Sequence, residues 1–188
     1  AYGFQQAGWK DYNSSIHLLE AFTALYRQKP DSLLRTRLEE MMVLLRDTFF
    51  QEPGYLHFNF TPDWQPVTFR EQGRQTVLQN VLLEHVSYGH DMETAFLLLE
   101  AAEALYGEAD TITRTKAKKL MDHALEHGFD EGYRGLFEGG YYFADNWKIF
   151  ASATSGQRLP TYTDLYYQGP ANIGNAMLRP EYAYYAEG

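Results

Sequence analysis

Two short stretches of the chain hold side chains suited to proton transfer. In Ser87-Tyr-Gly-His90-Asp91-Met-Glu93, which runs into the apolar segment Thr94–Leu99, His90 and Glu93 are i, i+3 neighbours in a first helical turn. A carboxylate at that spacing can accept the proton of one imidazole nitrogen and leave the other as a base. Gly89 lets the backbone turn tightly just before the histidine. Asp91 has a plainer explanation, because acids favour the first turn of a helix through its dipole. The second stretch is Asn13-Ser-Ser-Ile-His17 followed by Glu20, where positions 13, 17 and 20 fall on one helix face. Asn13 is also an ordinary helix cap, and His17 can be a hydrogen-bonded core histidine.

Metal chemistry is not expected. The two His-x-x-Glu pairs run opposite to the Glu-x-x-His pairs of di-metal helical bundles, and no third ligand motif accompanies them. His123 and His127 have a zinc-like i, i+4 spacing, but they sit in a last turn where imidazolium suits the dipole and solvent. There is no glycine-rich phosphate loop and no nucleophile elbow.

Helices must position these groups. Ser14–Arg27 carries Ile16, Leu18, Leu19, Phe22, Leu25 and Tyr26 on a broad apolar face. Pro30 stops that helix and Asp31 caps the next, expected over Ser32–Phe50 with Leu34, Leu38, Met41, Met42 and Leu45 inward. Residues 51–80 hold Pro53-Gly54, Pro62-Asp63 and Pro66, which predicts a long loop containing a hairpin. A third helix is expected from Gly89–His90 to Tyr106, ended by Gly107, and a fourth from an Asp110 cap to Gly128. Four helices in antiparallel pairs around a decorated loop predict a mainly α protein of α/α repeat type.

The chain changes character near residue 140. All six histidines lie in residues 1–140, whereas residues 141–188 hold none and carry eleven of the thirty aromatics. The tail is β-prone: Tyr141–Ala153 alternates loosely like a strand, and Pro160, Pro170 and Pro180 forbid a long helix. A boundary is therefore expected at about Gly139–Phe143, between domains 1–140 and 141–188. Over all 188 residues the net charge is −9, which disfavours nucleic acid and anionic membrane surfaces. The absence of cysteine excludes thiol catalysis, thiolate metal sites and disulfides. No apolar run is long enough for a membrane-spanning helix. The chain opens at Ala1 without methionine and reads as a piece of something larger.

The stretch Asn13-Ser-Ser-Ile-His-Leu-Leu-Glu-Ala-Phe-Thr-Ala-Leu-Tyr-Arg27 resembles a motif of the N-acylglucosamine 2-epimerase and cellobiose 2-epimerase family. His85–Glu103 is similar to that family's Ser-[Tyr/Phe]-Gly-His-Asp-x-Glu motif, and Gly135-Leu-Phe-Glu-Gly-Gly140 looks like its loop after the following helix. The resemblance covers about residues 1–140 and implies part of an (α/α)6 barrel, about half of the toroid. It implies inversion at C2 of a reducing sugar through a cis-enediolate, with no metal or other cofactor, in the cytoplasm. Carried over, His90 is one of two acid/base histidines with Glu93 as its partner. His17 assists ring opening and proton shuttling, and Asn13 holds a sugar hydroxyl. The family's arginine and its second acid/base histidine have no counterpart here, so the chain alone is expected to be inactive.

The tail resembles something else. Trp147–Ser152, Arg158–Asn175 and Leu178–Glu181 look like a strand–loop–strand segment of TonB-dependent outer-membrane receptors, and a chimera joined near Tyr141–Phe143 is expected. Three other readings stand beside the epimerase. One is a non-catalytic half-barrel that binds carbohydrate or associates, as a homo-oligomer, through exposed barrel helices. Another is a glycoside hydrolase on the same architecture, and the last a receptor fragment defined by the tail.

Overall fold

A computed structural model describes residues 8–142 and the backbone of residues 153–158 and 181–186. It divides into two units, residues 1–149 and 150–188.

In the first unit, β1 (Lys10–Asp11) leads directly into α1 (Tyr12–Gln28). Asp11, not Asn13, is the cap: its carboxylate accepts the Ser14 amide at 2.8 Å. A charged acceptor one residue before the helix satisfies the open amides, and Asn13 falls inside the first turn. Tyr12, Ile16, Leu19 and Thr23, spaced i, i+4, i+7, i+11, are buried. Leu18 and Leu25 do not face inward as expected: they are 44% and 54% exposed, because the buried stripe is narrower than the apolar one.

Asp31 caps α2 (Ser32–Leu44) by accepting the Leu34 amide at 2.9 Å. The helix stops short of Phe50. Its last turn widens into a π-helical turn over Leu45–Phe49, which buries Leu45 and Phe49 in line with Leu38 and Met42. The expected hairpin is β2 (Phe50–Gln51) paired with β3 (Tyr55–Leu56), and β4 (Asn59–Phe60) pairs back to β1. The rest of the long loop is more ordered than its prolines suggested. It contains a 3-10 turn (Arg70–Gln72) and two short helices, α3 (Arg74–Gln79) and α4 (Val81–Glu84), followed by β5 (His85–Val86).

A buried ion pair holds that loop. Glu84 accepts the Phe69 amide and pairs with the Arg70 guanidinium at 3.3 Å, while Arg70 also donates to the Tyr55 hydroxyl. A carboxylate this deep is tolerated because its oxygens meet a charged donor and an amide.

The third long helix, α5 (Tyr88–Tyr106), ends as expected at Gly107, which is left-handed at φ 85°. Its buried alanines, Ala95, Ala101 and Ala102, allow close packing by α1, α2 and α6. Asp110 caps α6 (Thr111–Gly128), accepting the Ile112 and Thr113 amides at 2.9 and 3.0 Å. Beyond α6, β6 (Phe129–Asp130) pairs with β7 (Gly135–Leu136), and β8 (Gly140–Tyr141) pairs with β5.

Helices α1 and α5 run parallel. Tyr12 meets His90 ring to ring at one end, and Arg27 meets Glu100 at 2.7 Å toward the other. Each parallel helix is followed by a partner reached through a tight turn, the α/α pairing that the periodicity predicted. The fold is mainly helical, with the layout of part of an (α/α)6 toroid.

In the second unit, β9 (Ala153–Arg158) and β10 (Glu181–Ala186) form one antiparallel ladder, from Glu181↔Arg158 to Ala186↔Ala153. The β-prone reading of the tail is met there. The strand expected over Tyr141–Ala153 lies mostly outside the described residues.

Candidate active site

The start of α5 and the start of α1 come together, and the loop between them roofs the contact. Tyr12 packs its edge on His90 with ring centroids 5.5 Å apart and planes at 80°. Phe58 lies against Tyr12 at 4.6 Å and against His85 at 4.4 Å. Strand β5 reaches this cluster because β8 pairs with it, His85 opposite Tyr141 and Val86 opposite Gly140. Gly139 is required for that approach, since a Cβ there runs into the Val86 carbonyl. The loop Gly135–Gly140 is thereby fastened to the histidine-bearing motif.

His90 is half-buried, and its Nδ1 lies 2.7 Å from the Ser87 hydroxyl. The partner expected from spacing was Glu93, but that side chain is exposed and makes no hydrogen bond to His90. A serine three residues earlier occupies the nitrogen because it lies at the helix mouth, on the ring's own side. Glu93 still acts at a distance: its charge helps hold the Tyr12 phenol protonated.

On α1, His17 is exposed with Nδ1 3.3 Å from a Glu20 carboxylate oxygen, and Asn13 is partly buried beside Tyr12. His17 is thus not a core histidine. The i, i+3 contact with Glu20 is as exposed as the histidine itself.

The residues that spacing did not reveal are Tyr12, Ser87, His85 and Asp91. The Tyr12 phenol is pushed far above its ordinary value, first by burial and then by the Asp91 charge, with the Ser87 hydroxyl opposing. Its oxygen has no hydrogen-bond partner of normal geometry among the described residues. Asp91 is more than a favourable charge at a helix start. It is 1% exposed, its Oδ1 accepts the Leu56 amide at 3.0 Å, and burial holds its carboxyl well above the usual range. Its place in the first turn concealed this, since an acid there is ordinarily explained by the helix dipole.

His123 also differs from expectation. It is buried and bonds through Nε2 to the Tyr142 hydroxyl, with the His127 ring 4.8 Å away. Tyr142 stacks on Tyr55 at 5.0 Å, and the Arg70 guanidinium lies over both rings. The pair is part of a packed aromatic layer behind α5. Among the described residues, no three His, Asp or Glu side chains converge as metal ligands. No described helix is long and apolar enough to cross a membrane.

Comparison with known proteins bears on the family and the fold. Cellobiose 2-epimerase of Bacteroides fragilis is 32% identical over 123 residues, covering 62% of this chain and 26% of that enzyme. Cellobiose 2-epimerase of Dictyoglomus turgidum is 24% identical over 137 residues, covering 69% of this chain and 31% of that enzyme. The chain thus spans less than a third of these relatives' length.

Among solved structures, cellobiose 2-epimerase of Bacillus thermoamylovorans superposes with a TM-score of 0.59 at 20% identity, covering 76% of this chain and 32% of that one. A D-mannose isomerase gives 0.58 at 18% identity, covering 73% and 34%. These two likenesses show the fold. The receptor resemblance of the tail finds no support. The family model for N-acylglucosamine 2-epimerase matches residues 3–154, past the boundary expected near Gly139–Phe143. With that match over most of its length, the chain belongs to the N-acylglucosamine 2-epimerase family.

Proposed function

We propose that this chain supplies one wall of a sugar 2-epimerase site, and that the reaction is inversion at C2 of a reducing sugar. The observation that carries the reading is the position of His90. It is a half-buried imidazole at the mouth of α5, held by Ser87 and edged by Tyr12, within the segment that matches the family. A base so placed can remove the C2 proton of a ring-opened sugar, giving a cis-enediolate that is reprotonated on its other face. Glu93 lies one turn farther along α5 and supplies negative charge that favours the imidazolium formed in that step. His17 serves ring opening and proton shuttling, and Asn13 holds a hydroxyl. No cofactor enters this scheme.

The substrate proposed is N-acylglucosamine or N-acylmannosamine, or a disaccharide ending in glucose or mannose, and the location proposed is cytoplasmic. A second histidine must deliver the returning proton, and none follows His127 in this sequence. The chain alone is therefore proposed to be silent. Leu18 and Leu25 on α1 leave an apolar face open, through which two copies associate.

The test is wash-in of solvent deuterium at C2 of mannose, cellobiose and N-acetylglucosamine, followed by proton NMR. It is made on this chain and on a product of the same reading frame extended past both ends. Exchange is expected only from the extended product and is lost in its His90→Gln variant. Exchange by the short chain would overturn its silence. No exchange by a folded extended product would overturn the epimerase reading.

A further inference from the structure

Four long helices begin at side chains able to cap them, and three do so. Asp11, Asp31 and Asp110 each accept an amide of their own helix. Ser87, at the cap of α5 with φ −97° and ψ 104°, makes no such bond. A serine there ordinarily accepts the amide two or three residues on, worth about 1 kcal/mol to the helix. Its hydroxyl instead reaches the side chain of that third residue, His90 Nδ1, at 2.7 Å. Among the four long helices the departure is confined to the one that carries His90.

The surroundings give the bond a direction. A hydroxyl can either donate to a bare ring nitrogen or accept from a protonated one. Ser87 is buried, with the oxygen of Tyr12 close to its hydroxyl and able to take the serine proton. The Tyr12 edge on the His90 ring restricts its rotation. We propose that Ser87 is a positioning residue, which gives up its capping bond to accept the Nδ1 proton of His90 and so leaves Nε2 as the unprotonated, proton-accepting nitrogen.

The proposal takes from the reading above only that His90 is the base, and it can be tested without any sugar. The chain contains both reference tautomers. His57 Nε2 lies 3.0 Å from the Val67 carbonyl and His85 Nδ1 lies 3.1 Å from the Val81 carbonyl. Carbonyls only accept, so His57 carries its proton on Nε2 and His85 on Nδ1. Long-range nitrogen–proton NMR of the labelled 188-residue chain near pH 8, above the ordinary imidazole value of about 6.5, reads all three rings, and His90→Gln identifies the His90 signals.

The His90 pattern is expected to match that of His85 in the wild type and in Ser87→Thr. In Ser87→Ala it is expected to move most of the way to the His57 pattern, with the His57 and His85 signals unmoved. A wild-type His90 that already shows the His57 pattern overturns the proposal, even if no variant folds. So does an unchanged His90 pattern in folded Ser87→Ala. Because no turnover is read, a negative result in the deuterium experiment leaves this outcome unaffected.

Discussion

The carboxylate of Asp91 accepts the backbone amide of Leu56 at 3.0 Å, so the residue next to His90 is tied to the hairpin that follows α2. The tie makes the position of the base depend on a loop some thirty-five residues away in sequence. It also separates two roles of one side chain, a hydrogen-bond acceptor and a buried charge.

Replacing Asp91 distinguishes those roles. Asp91→Asn keeps an oxygen for the Leu56 amide and removes the ionisation, whereas Asp91→Ala leaves the amide unpaired and should cost about 1–3 kcal/mol. Because burial raises the folded-state carboxyl, the folded protein holds a proton that the unfolded chain releases above its ordinary value of 3.8. Wild-type stability is therefore lost as pH rises from about 4 through the raised value. Asp91→Asn should abolish that loss and be at least as stable as wild type at pH 7.5. Urea midpoints at pH 5 and 7.5 measure both effects.

His57 works in the opposite direction on the same axis. Burial first, offset by its bond to Val67, holds the imidazole below its ordinary 6.5. The unfolded chain takes up a proton there before the folded protein does, so stability falls as pH drops below about 6.5. In His57→Gln, which retains a donor for Val67, the deficit relative to wild type should shrink between pH 7.5 and pH 5. A deficit that stays constant in the same urea series would show that His57 does not contribute to the acid loss.

Gly54 and Gly89 should respond oppositely to alanine. A Cβ at Gly54 runs into the Lys119 backbone carbonyl of α6, against which the hairpin lies; nothing stands within 4 Å of one at Gly89. Gly54→Ala should cost about 1–3 kcal/mol. Gly89→Ala, on an exposed helical position, should gain about 0.5–1 kcal/mol. Thermal unfolding of the two variants side by side gives the comparison.

The apolar face of α1 gives a prediction about association. Leu18→Glu with Leu25→Glu should change stability by no more than about 0.5 kcal/mol, since both sites are on the surface. Light scattering across a concentration series should show the wild type gaining mass and the double variant remaining a monomer. Equal masses at every concentration would remove α1 as a contact surface.

The long helices were legible because each has local signals: Asp31 and Asp110 before an apolar period, Gly107 after one. The ends that were misjudged depend on distant groups. Phe49 joins the core through a widened turn because Phe60 and Trp64 pack on it, and no rule of spacing contains those contacts. In the site, the motif carried His90 and Glu93, and their partnership was expected both from helical spacing and from the family resemblance. The structure gives the ring nitrogen to Ser87, which is three residues before His90 as Glu93 is three after, but lies just outside the helix. Asp91 read as an ordinary helix-start residue, and Tyr12 lay before the expected helix and drew no reading. Their electrostatic effect on each other exists only once α1 lies beside α5.

The parallel packing of α1 and α5 also sets an order of assembly. Tyr12 and His90 are 78 residues apart in the chain (90 minus 12), so one cannot meet the other until that length has been synthesised. At about 5–20 residues per second this takes roughly 4–16 s. During that interval α1 can pack against α2, the turn after it and Phe58, while the surface kept for α5 faces water or a chaperone. The α5–α6 hairpin, whose partners are joined by a short turn, needs no such wait.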